Sequence, residues 1–428
     1  MDAATDGKAR RPAPHRHFFP EYRLFTLFLI GIAGYAYVLA SPFEVWDGLQ
    51  AIIASRSLLV TDYLLVGGPG AMLMNGALAG GFALALLFFS GVKPNGATIM
   101  ALWMTVGFGF FGKNVFNMLP LTAGVWLYAK VQKEPFINYS LAALTVATLS
   151  PVVSELAFGF DPLHLWVGLA LGVLLGLLAG FLFPIVSAFT VRVHDGYNLY
   201  NMGFAGGIMA MFMVAGLKAG GITIETVSLW GGGYDAQMAG LLYAISVALI
   251  AAGLWLGRGR DHIYGLKRIL RSSGRLVSDY YTLYGQTSYI NMGLLGITTT
   301  TITLLLGINI NGPVMGGILT IVAFGCFGNH VRNVLPIMAG AVLATWVNVL
   351  DTAAPGNALA VLFSAGLAPV AGQFGIFWGV VTGFVHVSLV HHTGYMSNGL
   401  NLYNNGLAAG FVAMLLVPII VSLKKIKE

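Results

Sequence analysis

The sequence predicts an all-α integral membrane protein made of two inverted repeats, each with about five transmembrane helices and one broken or re-entrant helix pair. Three observations predict this fold: a charge-poor composition, long apolar runs and a duplicated sequence. Of the 428 residues, 57% are hydrophobic and 9% are charged, whereas a typical soluble domain is about 25% charged. This composition excludes a soluble protein. The single cysteine excludes an intrachain disulfide and a cysteine-rich metal site.

The predicted membrane spans are apolar runs long enough to cross a hydrocarbon core about 30 Å thick. They are residues 22–40, 63–90, 137–155, 163–190, 197–217, 239–257, 281–307, 356–372, 374–392 and 402–423. Shorter runs form two adjacent pairs, each broken by glycine and polar residues: 97–111 with 115–129, and 313–327 with 333–349. A helix of about 15 residues covers only about 22 Å. We therefore predict one re-entrant pair and five crossings in each half, with seven crossings as the alternative.

Self-comparison predicts that the chain is duplicated. Residues 108–129 and 324–345 are identical at 11 of 22 positions, at a fixed offset of 216. Chance similarity between apolar stretches would not preserve asparagine and proline in the same order. The predicted segments are a basic tail (1–21), a first repeat (22–217), a Gly-rich linker (218–238), a second repeat (239–423) and a short C-terminal end (424–428).

The distribution of charge predicts that the two repeats lie in opposite orientations. Residues 41–60 contain one basic residue, whereas their repeat counterpart, residues 258–277, contains six. Lysine and arginine concentrate on the cytoplasmic side of a membrane, so we expect these segments on opposite sides, as interfacial helices at 43–57 and 260–273. The same rule predicts a bacterial inner-membrane protein with both termini in the cytoplasm. A parallel duplication with one basic loop is the alternative.

The broken helices mark the predicted site. A broken membrane helix exposes backbone groups that lipid cannot satisfy, so it is tolerated where it lines water or binds a solute. Transporters with inverted repeats bind substrate where such helices meet. The residues at the two breaks are Lys113, Asn114, Asn117, Pro120, His330, Arg332, Asn333 and Pro336. They either line a central pathway, where two cations favour an anionic solute, or cap helix ends near the headgroups, with Lys113 and Arg332 snorkelling.

Other polar residues within the apolar runs are further candidates. Four asparagines that precede small residues either contact the solute or form hydrogen bonds between helices: Asn75, Asn201, Asn291 and Asn404. Glu155 is either a coupling-ion or proton site or an acid near the membrane surface. Asp62 and Asp279 precede apolar runs and are predicted to be N-terminal caps.

Leu-Pro and Tyr-Asn pairs occur in both halves: Leu119-Pro120, Leu335-Pro336, Tyr200-Asn201 and Tyr403-Asn404. On these motifs the architecture resembles the urea-channel fold, which implies two inverted halves of five spans, each with a short pore-directed helix. Over its whole length the chain is similar to an uncharacterised bacterial family of duplicated membrane proteins. That similarity includes FG-x-x-G followed by Asn or Lys, and Ser-Pro-Val-Val-Ser-Glu at 150–155. It implies no activity.

These observations predict a membrane transporter or channel for a small polar or anionic solute, with its pathway at the interface of the two repeats. The expected partners are that solute and the lipid bilayer, and a homo-oligomer is compatible with the sequence. No nucleotide loop, zinc spacing or nucleophile elbow occurs, so we expect no enzyme activity, catalytic residue, metal, cofactor or nucleic-acid partner. The alternatives are a membrane subunit of a redox or enzyme complex and a lipid-handling membrane protein.

Overall fold

The computed structural model describes residues 18–159 and 165–425. Most of the predicted basic tail and most of the predicted C-terminal end lie outside the described residues. Within the described ranges the chain is all-α, as predicted, and its β contacts are two isolated bridges, Thr61 with Leu229 and Asp62 with Phe111.

The helices before the Gly-rich linker form the first half of the chain. They are α1 (Pro20–Leu39), α2 (Pro42–Ala54), α3 (Tyr63–Phe89), α4 (Gly96–Phe108), α5 (Val115–Val131), α6 (Ser140–Thr145), α7 (Ser150–Phe158), α8 (Leu165–Val193) and α9 (Asn201–Ala219). A 3-10 segment at Val146–Leu149 joins α6 and α7, and another at Phe136–Tyr139 precedes α6, so that the four form one longer rod.

The helices after the linker form the second half in a similar order. They are α10 (Asp235–Leu256), α11 (His262–Ile269), α12 (Tyr280–Tyr284), α13 (Thr287–Leu305), α14 (Gly312–Ala323), α15 (Val331–Val347), α16 (Pro355–Phe363), α17 (Ala368–Phe374), α18 (Ile376–Ser397) and α19 (Asn404–Lys425). A 3-10 segment at Ser364–Leu367 joins α16 and α17, as the corresponding segment joins α6 and α7.

Eight helical rods among the described residues are long and apolar enough to cross a membrane, which confirms the prediction of a multi-pass membrane protein. They cover residues 20–39, 63–89, 136–158, 165–193, 201–219, 235–256, 355–374 and 404–424. The predicted spans 281–307 and 374–392 are also helical, as α13 and α18, but both are more polar. A threonine run lies in α13 and three histidines lie in α18. The run from 281 is moreover interrupted at Gly285, which ends α12.

The predicted interfacial segments are both helices, α2 and α11. A capping box begins α2, in which Ser41 accepts the N–H of Glu44 while the Glu44 carboxylate accepts the N–H of Ser41. Asp261 caps α11 in a similar way, by accepting the N–H of Tyr264 at 2.8 Å. The two helices differ in charge, because α2 has an acidic first turn and α11 has two basic residues in its last turn.

Asp62 and Asp279 are N-terminal caps, as predicted. Asp62 accepts the N–H of Leu64 at the start of α3, and Asp279 accepts the N–H of Thr282 at the start of α12. Each side chain also reaches into the other half of the chain, to Gly312 at the start of α14 and to Gly96 at the start of α4. The sequence did not predict these long-range contacts.

The short helices α4 and α14 pack closely in opposite directions. The N-terminal end of α14 lies at the C-terminal end of α4, since a Cβ added to Gly312 would stand 2.4 Å from the carbonyl oxygen of Phe110. The N-terminal end of α4 lies in turn beside the end of α14, where a Cβ added to Gly96 would stand 2.6 Å from the oxygen of Cys326. Two short helices therefore cross at the centre of the molecule.

Glycines allow the long helices α8 and α18 to approach α5 and α15 closely. A Cβ on Gly180 of α8 would lie 2.0 Å from the Leu121 oxygen of α5, and a Cβ on Gly383 of α18 would lie 1.9 Å from the Ile337 oxygen of α15. Only glycine leaves room for a backbone at this distance, which is the usual reason for small residues at membrane helix contacts.

Candidate functional site

The first break separates α4 from α5 at residues 109–114. Gly112 makes the reversal with a φ of 82°, a conformation that side chains other than glycine rarely adopt. Asn114 then caps α5: its Oδ1 accepts the N–H of Asn117 at 2.9 Å, and Asn117 Oδ1 accepts the N–H of Asn114 at 2.9 Å. The Asn117 amide also donates to the Gly112 oxygen and to Ser154. These two asparagines therefore satisfy the backbone of the break.

The second break uses a histidine in the same place. Gly328 reverses the chain with a φ of 120°. The His330 Nδ1 then accepts the N–H of Asn333 at 3.2 Å, and its Nε2 lies 3.0 Å from the Ser272 oxygen. The Asn333 amide donates to the Gly328 oxygen at 3.0 Å, as Asn117 does to Gly112. Both ring nitrogens of His330 are thus occupied by backbone groups.

Asn75 and Asn291 hold the two breaks in place from neighbouring helices. The Asn75 Nδ2 donates to the carbonyl oxygens of Gly109 and Lys113, at 2.6 and 2.7 Å. The Asn291 Nδ2 donates to those of Gly325 and Asn329, at 2.7 and 2.8 Å. Each amide satisfies carbonyls that a continuous helix would have used internally. Of the two predicted roles, the observed contacts correspond to hydrogen bonding between helices.

Pro120 and Pro336 are buried against the long helices rather than exposed in an open path. A Cβ added to Gly176 of α8 would lie 2.9 Å from the Pro120 Cβ, and one added to Gly379 of α18 would lie 2.8 Å from the Pro336 Cβ. Each proline fills the space that a helix glycine leaves open.

Lys113 is fully buried at the first break. Its ammonium group lies 5.2 Å from the ring centroid of Phe108 and 4.7 Å from that of Tyr403, and it contacts the Tyr403 hydroxyl. The ion pairs among the described residues are Arg56 with Glu155 and Arg275 with Asp195. No carboxylate of these residues therefore lies within 4 Å of the Lys113 ammonium group. Aromatic faces attract a cation, but they leave its net charge uncompensated.

The equivalent place at the second break is polar but uncharged. Asn329 follows Gly328 as Lys113 follows Gly112, and it stands beside the Tyr200 hydroxyl. That hydroxyl and both polar atoms of the Asn329 amide are buried and complete no hydrogen bond among the described residues. Buried polar groups are nearly always paired in proteins, so this cluster has hydrogen-bonding capacity that the chain leaves unused.

A cavity of about 160 Å³ lies between the breaks. Its walls are mainly aromatic and apolar, and the first turns of α9 and α19 complete them through residues 201–203 and 405–406. The aromatic side chains of this central cavity are Phe108, Tyr200, Phe324, Phe327, Phe363 and Tyr403. A cavity of about 150 Å³ can hold a ligand as large as benzene. The N-terminal ends of two helices, each with a partial positive charge, thus border a space large enough for a small solute.

Arg332 and Asn201, two further residues of the predicted site, differ in whether they reach the cavity. Arg332 lies on the exposed side of α15 and is absent from the cavity wall. Asn201 lines the cavity, while its amide joins Thr190, His194 and the Ser187 oxygen at 2.8 to 3.0 Å. Of the predicted cations, the structure therefore brings only Lys113 to the aromatic wall.

Asn404 begins α19 next to the cavity wall. Its Nδ2 donates to Thr393 at 3.4 Å, and its Oδ1 is buried without a partner among the described residues. The Asn404 amide thus donates a hydrogen bond but accepts none among the described residues. The amide of Asn201, at the equivalent position in the first half, both donates and accepts.

Glu155 lies at the end of α7, away from the central cavity, and is almost fully buried. Both of its oxygens bind the Arg56 guanidinium, at 2.6 and 2.5 Å. This bidentate contact raises the pKa of Arg56 above its usual value. Arg56 also donates to the Glu225 oxygen in the linker at 3.3 Å. Glu155 therefore ties the α2–α3 loop to the end of α7.

The aromatic wall is the part of the site that the sequence did not single out. Tyr200 and Tyr403 belong to the duplicated Tyr-Asn motif, and Phe108 and Phe324 open the two duplicated break sequences. Their recurrence at the same position in both halves was the available signal. Aromatic residues are common in any membrane helix, so recurrence alone does not distinguish a wall from ordinary packing.

A family model described as "Protein of unknown function (DUF1576)" matches residues 41–219 and 259–422, and the division of the match into two segments hints at duplication. No curated protein and no solved structure matches the chain. The matched segments cover most of the sequence, and the chain therefore belongs to the DUF1576 family, described as proteins of unknown function.

Proposed function

We propose that this protein is a membrane transporter or channel for a small anionic or strongly hydrogen-bonding solute. The solute passes through the central cavity, between two halves of the chain that lie inverted across the bacterial inner membrane. The observation that carries the proposal is Lys113, a fully buried cation behind the cavity wall that contacts Phe108 and Tyr403 of that wall and has no carboxylate within 4 Å among the described residues.

The inverted arrangement is supported by contacts that occur in reciprocal pairs. Asn198 donates to the Gly406 oxygen at 3.0 Å, and Asn401 donates to the Gly203 oxygen at 3.1 Å. Both donors and both acceptors are related by the same offset of 203. The contacts between the antiparallel helices α4 and α14 are also reciprocal. Gly312 lies beside the Phe110 oxygen and Gly96 beside the Cys326 oxygen, and an offset of 216 relates the two contacts. A twofold axis in the membrane plane would relate the halves in this way.

An anionic solute is supported by the electrostatics of the cavity. A buried charge without a partner is unfavourable by several kcal/mol, and an anion beside Lys113 would offset this cost. The N-terminal ends of α9 and α19 add partial positive charge at the cavity wall. The edges of aromatic rings are also weakly positive and can face an anion. Apolar walls exclude the water that would otherwise weaken these attractions.

The proposal is tested with purified protein in liposomes and a panel of chloride, nitrate, urea and glycerol. Liposome volume is followed by stopped-flow light scattering after a solute gradient is imposed, with potassium and valinomycin present so that charge does not limit entry. We expect at least one anion to enter faster than in protein-free liposomes. Sodium and proton gradients are then imposed separately, to distinguish passive from coupled entry. If no solute of the panel enters faster, the proposal fails.

The variant Lys113→Asn tests whether solute entry depends on Lys113. Asparagine is chosen because it occupies the equivalent position 329 in the second half. We expect this variant to fold and to lose anion entry about tenfold, which corresponds to about 1.4 kcal/mol. The exposed residue Arg332, changed to Ala, is the control and should leave entry unchanged. Anion entry that is equal in Lys113→Asn and the parent protein would remove Lys113 from the pathway.

A lipid-handling function is the second candidate, and one observation favours it. An apolar groove of about 530 Å³ runs between α1 and α10 on the side of the molecule, with Trp103 of α4 among its lining residues. Exposed apolar grooves on this scale can bind acyl chains. A lipid-handling protein would move labelled lipid between the leaflets of the same liposomes and would not conduct the solutes of the panel.

A further inference from the structure

His386 is a buried histidine in the middle of α18, connected to the central cavity by one side chain. Its Nε2 lies 3.1 Å from the Oδ1 of Asn405, and Asn405 lines the cavity. An amide oxygen only accepts hydrogen bonds, so with the Asn405 amide oriented as in the structure, the proton of His386 is on Nε2. The Nδ1 is buried and has no partner among the described residues. It is therefore a free proton acceptor inside the protein.

The first half of the chain has no such pair at the same place. Gly180 and Gly383 make the same close contact with the preceding pair of helices, which fixes the register of α8 and α18 at an offset of 203. In this register His386 corresponds to Phe183, which is buried. Asn405 corresponds to Met202, which lines the cavity as Asn405 does. The fold therefore accepts an apolar pair here, and the polar pair is a property of one half only.

Among the described residues, the helices packed against α18 carry no carboxylate that could compensate a positive charge on the His386 ring. The helices packed against α18 are α9, α15, α16, α17 and α19, and none of them contains an aspartate or a glutamate. Of the side chains that the structure describes, the charged groups of these helices and the other histidines of α18 are Lys218, Arg332, His391, His392 and Lys424. Protonation of His386 therefore requires negative charge from elsewhere, and Asn405 connects the ring to the central cavity, which has room for a small solute.

We propose that His386 couples solute entry to proton entry, an inference that rests on the proposed function. The Nδ1 takes a proton from water at one membrane face while a monovalent anion enters the cavity. The imidazolium then carries both N–H groups, and its charge balances the anion across the Asn405 side chain. On the other side the anion leaves, and the same proton returns to water. One proton moves with each anion, and no net charge crosses the membrane.

The experiment uses proteoliposomes with pyranine inside and an inward gradient of sodium nitrate or sodium chloride, without ionophore. Anion entry is followed by light scattering, and interior pH is followed by pyranine fluorescence. We expect the wild-type interior to acidify as the anion enters, with one proton per anion, and anion entry to rise as the external pH falls.

His386→Phe should reduce acidification about tenfold and remove the dependence of anion entry on external pH. The double variant His386→Phe with Asn405→Met reproduces the apolar pair of the first half, so it should fold and should show the same loss. His391→Gln changes an exposed histidine five residues further along α18 and should behave as the wild type.

Two results would overturn the coupling and leave the proposed pathway intact: anion entry into wild-type liposomes without acidification, or acidification that persists in the folded double variant. Wild-type protein that admits neither anion here, and no solute of the panel when potassium and valinomycin are present, would instead refute the pathway and the coupling with it.

Discussion

The carboxylate of Asp62 accepts the backbone N–H of Gly312, which lies 250 residues further along the chain, at 3.1 Å. Asp279 makes the converse contact, with the N–H of Gly96 at 3.0 Å. Each aspartate begins a helix in its own half and also caps the short central helix of the other half. Free N–H groups and partial positive charge meet at a helix N-terminus, so these two carboxylates hold the halves together at the crossing of α4 and α14.

Loss of the Asp62 carboxylate should destabilise the whole protein. Asp62 also accepts the N–H groups of Leu64 and Gly231, at 2.9 and 2.8 Å. Asp62→Ala leaves three backbone donors without this acceptor, so we expect the free energy of unfolding to fall by about 2 kcal/mol or more. Thermal unfolding in detergent measures the change. Glu44→Ala removes a solvent-exposed capping contact and is the control, with a smaller decrease expected. Equal melting temperatures for the two variants would contradict this account.

Close glycine contacts between helices should tolerate no added methyl group. Gly383→Ala would place a Cβ 1.9 Å from the Ile337 oxygen, which forces α15 and α18 apart. Overpacking of this kind costs about 1–3 kcal/mol, and the melting temperature in detergent should fall accordingly. Gly240→Ala in α10 is the matched control, because nothing lies within 4 Å of its added Cβ. Gly383→Ala protein as stable as the control would show that the two helices can separate freely.

The sequence predicted the breaks well, because their signals are local. Glycine at 112 and 328 supplies a positive φ, and asparagine or histidine at the next helix start supplies a cap. A single sequence shows such features directly. It does not show which distant side chain faces a break, so the contact of Lys113 with Tyr403, 290 residues away, could not be predicted.

Residue identity and backbone conformation align the last helices of the two halves differently. His194-Asp195-Gly196-Tyr197 is similar to His392-Thr393-Gly394-Tyr395, and this alignment requires five inserted residues before Asn401, the counterpart of Asn198. In the structure α18 continues to Ser397, so His392 lies within a helix, whereas His194 lies in a turn. Asp195-Gly196 and Asn398-Gly399 share the turn conformation, with φ of 52° and 79° against 44° and 78°. Backbone conformation therefore aligns the two halves here at an offset of 203, without an insertion at this turn. The alignment by residue identity alone does not match the structure.

The ion pair of Glu155 with Arg56 should contribute measurably to stability. Glu155→Gln leaves the partly buried guanidinium without its counter-charge, and because Arg56 is one-third exposed, we expect a loss of about 1–3 kcal/mol. Thermal unfolding of both single variants and of the double variant with Arg56→Gln gives the coupling between them. We expect the double variant to be less destabilised than the sum of the single variants. Additive losses would show that the contact contributes nothing specific.

The proposed inverted orientation of the halves predicts that α2 and α11 face opposite compartments. Asp47 on α2 and Lys267 on α11 are exposed charged residues, so a cysteine at either position should be accessible to water. Cys326 is the only native cysteine and is buried, and Cys326→Ser provides the background. A membrane-impermeant maleimide should label Asp47→Cys in intact spheroplasts and Lys267→Cys only in inverted vesicles. Denatured samples of each variant control for intrinsic reactivity. Labelling of both positions from the same side would mean that the halves lie parallel, so that α4 and α14 could not be related by an axis in the membrane plane.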